Sequence, residues 1–225
     1  MSRLATAEQM TQYDIVPPEN FMRGQLDRSI ASVNSYFARA FGLDRAPLQA
    51  SVDRLRAVGS VALFDVGCGT GNSLRTWAEA VRRHAASPEQ VSAIGLNLHD
   101  YSNQSRFAQT RQAIQEERIS YIVGDAEKMA DAPDGSADVV IACMSVLHMT
   151  HPALALQEME RIAGPGGIMY LNVKGSQYVS NSPVMETLFE WEDADYKVET
   201  QLANVSDLGG TGRPWTTSFI RVEKP

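Results

Sequence analysis

The sequence is poor in the residues that build disulfide scaffolds and metal sites. It contains two cysteines among 225 residues, Cys68 and Cys143. Neither belongs to a CxxC pair or to a Cys/His pattern with the spacing of metal ligands, so no metal site is predicted. Reduced cysteines are typical of intracellular proteins, and we therefore expect a cytoplasmic location.

The chain also lacks the long apolar and basic segments by which proteins bind membranes and nucleic acids. No apolar run approaches the roughly 20 residues of a transmembrane helix, and residues 1–20 contain no basic region followed by an apolar stretch, as a signal peptide would. The net charge is −7, and an acidic surface repels phosphate backbones. We expect neither a membrane nor a nucleic acid as partner. Whether the chain forms a homodimer is left open by the sequence.

After residue 60 the sequence alternates between short apolar runs and amphipathic stretches. Strands are expected near residues 61–66, 91–97, 119–123, 137–143 and 168–173, and helices near 72–85, 102–116 and 152–163. This alternation predicts βαβ units and a parallel sheet with helices on both faces. A helix near 183–191 precedes two further strands, 196–205 and 215–222, which should pair antiparallel because no helix separates them.

The first 59 residues stand apart from this pattern. Two helices are expected there, at 20–41 and at 48–58, after a polar arm. We therefore divide the chain into an N-terminal arm with lid helices, residues 1–59, and a main domain, residues 60–225. The aromatic side chains of the first helix face either a substrate or the sheet, and the sequence leaves both alternatives open for Tyr36, Phe37 and Phe41.

The clearest motif is a glycine-rich loop directly after the first strand. Residues 64–71 read FDVGCGTG and precede a helix, for which Asn72 or Ser73 is the expected N-cap. Glycines allow positive φ and let the backbone approach a ligand closely. The G-x-G-x-G spacing differs from the G-x-G-x-x-G of nicotinamide dinucleotide sites, which argues against an oxidoreductase.

This segment resembles the first motif of class I S-adenosylmethionine-dependent methyltransferases, and the resemblance covers roughly residues 60–175. It implies an α/β fold with a Rossmann-like, doubly wound, mostly parallel seven-stranded sheet, an antiparallel C-terminal strand and added N-terminal helices. It also implies S-adenosylmethionine as cofactor, with Asp65 bound to the cofactor's amino group. The loop residues that would cradle the amino-acid end of the cofactor are Gly67, Cys68, Gly69 and Gly71.

The ends of the next two strands would complete the cofactor site. The segment GLNLHDY, residues 95–101, is similar to a stretch of small-molecule C-methyltransferases. This resemblance implies that Asn97 and Leu98 contact the cofactor. An acidic ribose ligand is usual where Asn97 stands, so Asp100 is the rival for that role unless it caps the following helix. Asp125 and Ala126 resemble the family's adenine clamp, although Asp125 alternatively caps the turn that follows.

The loop after the fourth strand is expected to face the reacting centre, because ligands bind at the carboxyl ends of parallel strands. It begins at Met144, a further candidate cofactor contact, and contains His148. An imidazole titrates near neutral pH, so His148 is either a general base or a structural histidine that anchors the loop. His151 is expected to start a helix.

Together these features predict an enzyme that transfers a methyl group from S-adenosylmethionine to an oxygen, nitrogen or carbon atom of a small molecule, in secondary metabolism. Two alternatives keep the cofactor site. One is an enzyme of this fold that catalyses cyclisation or pericyclic chemistry, and the other is a binding protein without turnover. The sequence has no Asn/Asp-Pro-Pro-Tyr run, as in amino-methyltransferases of nucleic acids, and no motif identifies the acceptor.

Overall fold

The computed structural model describes residues 30–99, 108–174, 182–205 and 215–225, and the predicted alternation of elements is confirmed there. The α-helices are α1 (Ile30–Phe41), α2 (Pro47–Val58), α3 (Asn72–Arg82), α4 (Ala108–Gln115), α5 (Pro152–Ile162) and α6 (Pro183–Asp193). The strands are β1 (Val61–Val66), β2 (Val91–Asn97), β3 (Ser120–Val123), β4 (Ala137–Ala142), β5 (Ala163–Lys174), β6 (Lys197–Val205) and β7 (Trp215–Glu223).

These strands form one seven-stranded sheet with the order β3-β2-β1-β4-β5-β7-β6. Neighbouring strands from β3 to β5 pair in parallel, whereas β7 pairs antiparallel with both β5 and β6. The predicted mostly parallel sheet with an antiparallel C-terminal strand is therefore confirmed. The order reverses at β1 and β4, and ligands of such sheets bind at the carboxyl ends of the strands beside that reversal.

The core consists of two apolar layers, one on each face of the sheet. Successive residues of β1 contribute to opposite layers, with Phe64 and Val66 in one and Val61 and Leu63 in the other. Buried residues of α1, α2, α3 and α4 join the layer of Leu63, and those of α5 and α6 join the layer of Phe64. This covering of both faces explains why β1 is continuously apolar instead of alternating.

Helix α1 packs against the sheet through its aromatic side chains. Phe37 is fully buried, with its ring centroid 5.3 Å from that of Tyr170 and 5.4 Å from that of Phe219. Phe41 is also buried, and Tyr36 stacks on Phe219 at 6.4 Å. For Phe37 and Phe41 the structure thus favours packing on the sheet over contact with a substrate.

The start of α3 differs from the prediction. Gly71, not Asn72 or Ser73, occupies the N-cap position, with a left-handed φ of 77°. Because this turn leads the chain directly into the helix, Asn72 is the first helical residue, and its Oδ1 accepts a hydrogen bond of 2.8 Å from Nη2 of Arg75. The expected Asn72 or Ser73 cap was therefore wrong.

The start of β5 also differs from the prediction. A strand was expected near residues 168–173, but the strand begins at Ala163. The pairing with β4 is irregular here, because Ala137 faces Ala163 whereas Val139 faces Ile168. The glycine-rich residues are thus accommodated as a bulge within the strand.

Replacement of Phe37 tests whether α1 is part of the cooperative fold. We expect Phe37→Ala to lower the free energy of unfolding by about 3–5 kcal/mol, since it empties a fully buried aromatic site. Phe189 is 51% exposed, so Phe189→Ala is the matched control and should change stability by about 0.5 kcal/mol or less. Denaturant unfolding of both variants measures the difference, and equal stabilities would mean that α1 unfolds independently.

Candidate active site

The glycine loop between β1 and α3 is built from three glycines with positive φ. The values are 72° at Gly67, 57° at Gly69 and 77° at Gly71, a region that side chains other than glycine rarely adopt. Backbone hydrogen bonds from Gly67 and Cys68 to the carbonyl of Leu96, 2.7 and 3.0 Å long, fix the loop to the end of β2. The predicted loop residues therefore lie together at the carboxyl ends of the strands.

Asp65 lies on β1 below this loop and is only 4% exposed. Its Oδ2 is buried and accepts no hydrogen bond from any residue within the described ranges. Burial raises the pKa of Asp65 from its ordinary value of 3.8 to about 7, and the nearby hydroxyl of Ser73 opposes this shift only in part. A buried carboxylate without a partner is costly, and this cost indicates a place prepared for a cationic ligand group.

Cys68 contributes its backbone to the loop, and its side chain faces the interior. Burial raises the pKa of the Cys68 thiol well above its ordinary value, so the thiol stays protonated and does not act as a nucleophile or metal ligand. A Cβ on Gly95 would lie 2.7 Å from Sγ of Cys68 and 2.9 Å from Leu74. Glycine at position 95 is therefore what allows the loop and α3 to pack closely on β2.

Asn97, at the end of β2, makes two hydrogen bonds to the protein with its side-chain amide. Its Oδ1 accepts from the backbone N–H of Gly69 at 3.2 Å, and its Nδ2 donates to the carbonyl of His99 at 2.8 Å. Tyr121 on β3 donates from its hydroxyl to the carbonyl of Gly69 at 2.6 Å. Asp100, the rival for the ribose role, lies outside the described residues.

Two exposed apolar side chains stand at the ends of β2 and β3. Leu98 is 61% exposed and Val123 is 53% exposed, and Val123 pairs with Asn97 across the two strands. Large apolar side chains at adjacent strand ends form a surface on which a flat aromatic ligand can lie. The predicted contact residue Leu98 thus belongs to the same edge as the glycine loop.

Asp125 and Ala126 follow β3 at this edge. The backbone N–H of Gly124 donates to the carbonyl of Asn97 at 3.0 Å and ties this segment to the end of β2. One oxygen of Asp125, Oδ1, accepts from the N–H of Glu127 at 2.9 Å, as the capping alternative expected. Asp125 is solvent-exposed, so capping leaves room for a second partner at the same carboxylate.

The loop after β4 packs directly on the glycine loop. Oγ of Ser145 donates to the carbonyl of Val66 at 2.7 Å, and a Cβ on Gly67 would lie 2.3 Å from Cβ of Ser145. No side chain fits at position 67 unless this loop moves. The carboxyl ends of β1 and β4, where the sheet order reverses, are therefore in direct contact.

Met144 begins this loop in a left-handed conformation, with a φ of 65°. Its backbone N–H donates to Oδ1 of Asn172 at 2.6 Å, and Nδ2 of Asn172 contacts Sδ of Met144 at 2.9 Å. Asn172 is fully buried on β5 and also lies 3.3 Å from Oγ1 of Thr217 on β7. The added antiparallel strand thus supports the conformation of the loop after β4.

The two histidines of this loop have different surroundings. His148 ends a short 3₁₀ turn, Val146–His148, and its ring atom Nε2 is buried. His151 is the N-cap residue of α5, as predicted, and its side chain is 65% exposed. Both its Nδ1 and its backbone N–H contact the carboxylate of Glu127, at 2.8 and 2.7 Å. His148 is therefore the one that belongs to the packed part of the loop.

Several residues of the site were not identified from the sequence. Tyr121, Ser145 and Asn172 hold the loops at the strand ends, but each partner lies far away along the chain. A tyrosine, a serine and an asparagine within otherwise apolar strands or loops carry no motif by themselves. The buried asparagine in the apolar strand β5 was the one available signal, because buried amides are retained where they have partners.

Comparison with known proteins finds similarity to methyltransferases. The sequence profile of a methyltransferase domain matches residues 64–171. The chain is 30% identical to a human thiol S-methyltransferase over 114 residues, which are 51% of this chain and 43% of that protein. It is 32% identical to malonyl-[acyl-carrier protein] O-methyltransferase of Serratia marcescens over 147 residues, 61% of this chain and 51% of that protein.

Over residues 64–171 the chain is therefore similar to class I S-adenosylmethionine-dependent methyltransferases. Its cofactor is S-adenosylmethionine. The chain spans about half the length of the curated relatives it matches.

Solved structures of methyltransferase-like proteins share the fold. The cyclase SpnF superposes with a TM-score of 0.53 at 20% identity, covering 98% of this chain and 97% of that one. CrArsM, an arsenic(III) S-adenosylmethionine methyltransferase from Chlamydomonas reinhardtii, also gives 0.53, at 18% identity, covering 73% and 64%. At these low identities the superpositions show only that the fold is shared. The reaction has to be inferred from the site itself.

The residues around the glycine loop fit the amino-acid end of S-adenosylmethionine. The three positive-φ glycines form the loop above β1, and the buried Oδ2 of Asp65 would suit a cationic amino group. Across the described ranges there is no cluster of three or more metal-ligating side chains and no helix long and apolar enough to cross a membrane.

The raised pKa of Asp65 predicts a pH-dependent effect of its replacement. Since the pKa is higher in the folded chain than the ordinary 3.8, stability is lost as pH rises from about 4 to about 7. The shift corresponds to about 4 kcal/mol above that window. We expect Asp65→Asn to stabilise the ligand-free protein at about pH 8. At about pH 4 its stability should differ little from that of the wild type, because the side chain at position 65 is neutral in both folded proteins.

Thermal unfolding of the wild type and Asp65→Asn at several pH values measures this effect. Asp53→Asn is the matched control, because Asp53 is exposed on α2 and its neutralisation should shift the melting temperature equally little at every pH. A stability difference between wild type and Asp65→Asn that does not grow with pH would contradict a buried carboxylate without a partner.

Proposed function

We propose that this chain transfers a methyl group from S-adenosylmethionine to a nucleophilic atom of a small molecule. The observation that carries the proposal is the buried Oδ2 of Asp65, which accepts no hydrogen bond from the described residues and lies beneath a loop of three left-handed glycines. A carboxylate is kept in such a place against its cost to stability when a ligand cation pairs with it. The amino group of the cofactor is that cation in the proposed function.

The adenine end of the cofactor would lie over the ends of β2 and β3. Leu98 and Val123 supply apolar surface there. Asp125 accepts a hydrogen bond from the exocyclic amine with an oxygen other than the one that caps the turn, and the N–H of Ala126 donates to a ring nitrogen. These roles follow the adenine clamp that the sequence resembles, and the exposed position of Asp125 supports them.

The acceptor would approach from the loop after β4. When bound, S-adenosylmethionine supplies an electrophilic methyl group on a sulfonium. The chain's task is to align the acceptor and to exclude water. Met144 would contact the cofactor at the start of this loop, and His148 would accept the proton of an oxygen, nitrogen or sulfur nucleophile. The packing of Ser145 on Val66 supports this assignment, because it joins the acceptor side of the site to the cofactor loop.

A small-molecule acceptor is supported by charge and by the relatives. The net charge of −7 disfavours nucleic acid. The relatives are named for methylation of a thiol and of a malonyl group on acyl carrier protein, whose nucleophiles are sulfur and oxygen. We therefore propose a small thiol or carboxylic acid as the first acceptors to test, with a role in secondary metabolism as the finer proposal.

Cofactor binding and methyl transfer form the direct test. We expect the wild type to bind S-adenosylhomocysteine in titration calorimetry, with NAD far weaker. With cofactor and an accepted substrate, mass spectrometry should show a gain of one CH₂ unit. Asp65→Ala and Gly69→Val should abolish or greatly weaken the binding, since the first removes the carboxylate and the second cannot adopt the φ of 57° at Gly69 without strain.

Gly59→Val is the matched control for this test. Gly59 also has a positive φ, 82°, but it ends α2, and a Cβ added there would meet no atom of the described residues within 4 Å. The control therefore carries the same backbone strain without touching the loop, and it should bind the cofactor normally. Unchanged affinity in Asp65→Ala would contradict the proposed site, and binding without a CH₂ gain on any acceptor would favour cyclisation chemistry or a binding protein.

A second prediction concerns His148 as the general base. His148→Ala should lower the turnover rate by about 10²–10⁴ and leave cofactor affinity nearly intact. The wild-type rate should fall at acidic pH, because a protonated imidazole cannot accept a proton. His151→Ala is the matched control, since its exposed ring is bound to Glu127 and should leave the rate nearly unchanged. Full activity of a stably folded His148→Ala would make His148 a loop anchor.

A further inference from the structure

The peptide of Gly69 is held on both sides by side chains from neighbouring strands. Its N–H donates to Oδ1 of Asn97 on β2 at 3.2 Å. Its carbonyl accepts from the hydroxyl of Tyr121 on β3 at 2.6 Å. Gly69 is the central glycine of the loop, with a φ of 57°, so these two bonds fix the orientation of the most adaptable peptide in the site.

The remaining polar group of Asn97 is also bound to the protein. Its Nδ2 donates to the carbonyl of His99 at 2.8 Å, and the hydroxyl of Tyr121 lies 3.2 Å from the same carbonyl. Asn97 is only 8% exposed. Its oxygen and its amide nitrogen thus both serve the loop and the chain just beyond β2, instead of facing outwards as a ribose ligand would.

We propose that Asn97 and Tyr121 are positioning residues that clamp the Gly69 peptide, and that Asn97 does not bind the ribose. The clamp holds the glycine loop in the shape that receives the amino-acid end of S-adenosylmethionine. This inference rests on the proposed function. A loop that is ordered before binding loses less conformational entropy when the ligand arrives, and it therefore binds more tightly.

The chemistry of the amide explains why asparagine stands at a position where an acidic residue is usual. Asn97 accepts from the N–H of Gly69 and donates to the carbonyl of His99. A carboxylate can accept the first bond but cannot donate the second, because it has no proton to give. Aspartate at position 97 would instead place two acceptors, the carboxylate and the His99 carbonyl, against each other.

The effect of Asn97→Asp on ligand affinity therefore distinguishes a ribose ligand from a residue that positions the loop. If Asn97 were the ribose ligand, aspartate would match the usual acidic residue and keep or improve the affinity for every ligand with a ribose. If Asn97 is part of the clamp, the same change weakens the loop. A ligand that lacks the amino-acid end should not sense this weakening, since it does not use the loop.

The experiment compares two ligands by titration calorimetry on the full chain. S-adenosylhomocysteine has the amino-acid end, and 5′-methylthioadenosine keeps only the adenine, ribose and sulfur. We expect Asn97→Asp and Tyr121→Phe each to weaken S-adenosylhomocysteine binding roughly tenfold, the effect of losing one hydrogen bond, and to leave 5′-methylthioadenosine binding unchanged. Tyr196→Phe is the matched control, because it removes a hydroxyl that is hydrogen-bonded to Glu160, between α6 and β6 and away from the glycine loop.

Several results would overturn the clamp. The first is either improved binding of both ligands by Asn97→Asp, which would make Asn97 a ribose ligand, or an equal loss of both, which would show that its effect is not specific to the amino-acid end. The second is weaker S-adenosylhomocysteine binding in Asn97→Asp with unchanged binding in Tyr121→Phe. The third does not depend on the cofactor. Hydrogen exchange of the Gly69 amide in the ligand-free protein, followed by nuclear magnetic resonance, should become faster in Asn97→Ala and Tyr121→Phe, and unchanged exchange in both contradicts the clamp.

The exchange measurement also separates this proposal from the proposed function. Failure of the wild type to bind either ligand would refute the cofactor site while faster exchange still supported the clamp. Normal binding of S-adenosylhomocysteine by both clamp variants would refute the clamp and leave the cofactor site in place. Because Tyr121→Phe removes a single hydroxyl and keeps the ring beside Gly71, this variant should fold even if a change at Asn97 does not.

Discussion

The site depends on a close approach of two backbones at the point where the sheet order reverses. Gly67 and Ser145 lie so near each other that a Cβ on the glycine would be 2.3 Å from that of the serine. This contact joins the loop after β1 to the loop after β4, and the hydroxyl of Ser145 closes it by binding the carbonyl of Val66. The loops after β1 and β4 are therefore packed against each other at this edge of the sheet.

The junction places a buried charge where it destabilises the empty protein. Asp65 is fixed beneath the loop by β1, and burial raises its pKa to about 7. Replacement by an apolar residue would favour folding, whereas a ligand cation would favour the carboxylate. If the proposed cofactor site is correct, stability and ligand binding oppose each other at this one residue, as is common where a site is prepared before its ligand arrives.

The sequence predicted features that depend on local pattern and missed those that depend on distant contacts. The apolar run of β1, the glycine spacing and Asp65 stand within eleven residues and identify the fold and the loop. The N-cap of α3 was wrong because Gly71 itself turns the chain into the helix. Tyr121 could not be foreseen, because its bond to Gly69 spans 52 positions and follows from strand order alone.

The antiparallel end of the sheet reaches the site through one asparagine. Asn172 on β5 holds Met144 in its left-handed turn and lies next to Thr217 on β7, whose hydroxyl donates to the carbonyl of Val173 at 2.8 Å. A left-handed methionine is held against its own preference, so the loop after β4 needs this support. Strand β7 thus does more than complete the sheet, because its Thr217 lies against the asparagine that holds the start of the loop after β4.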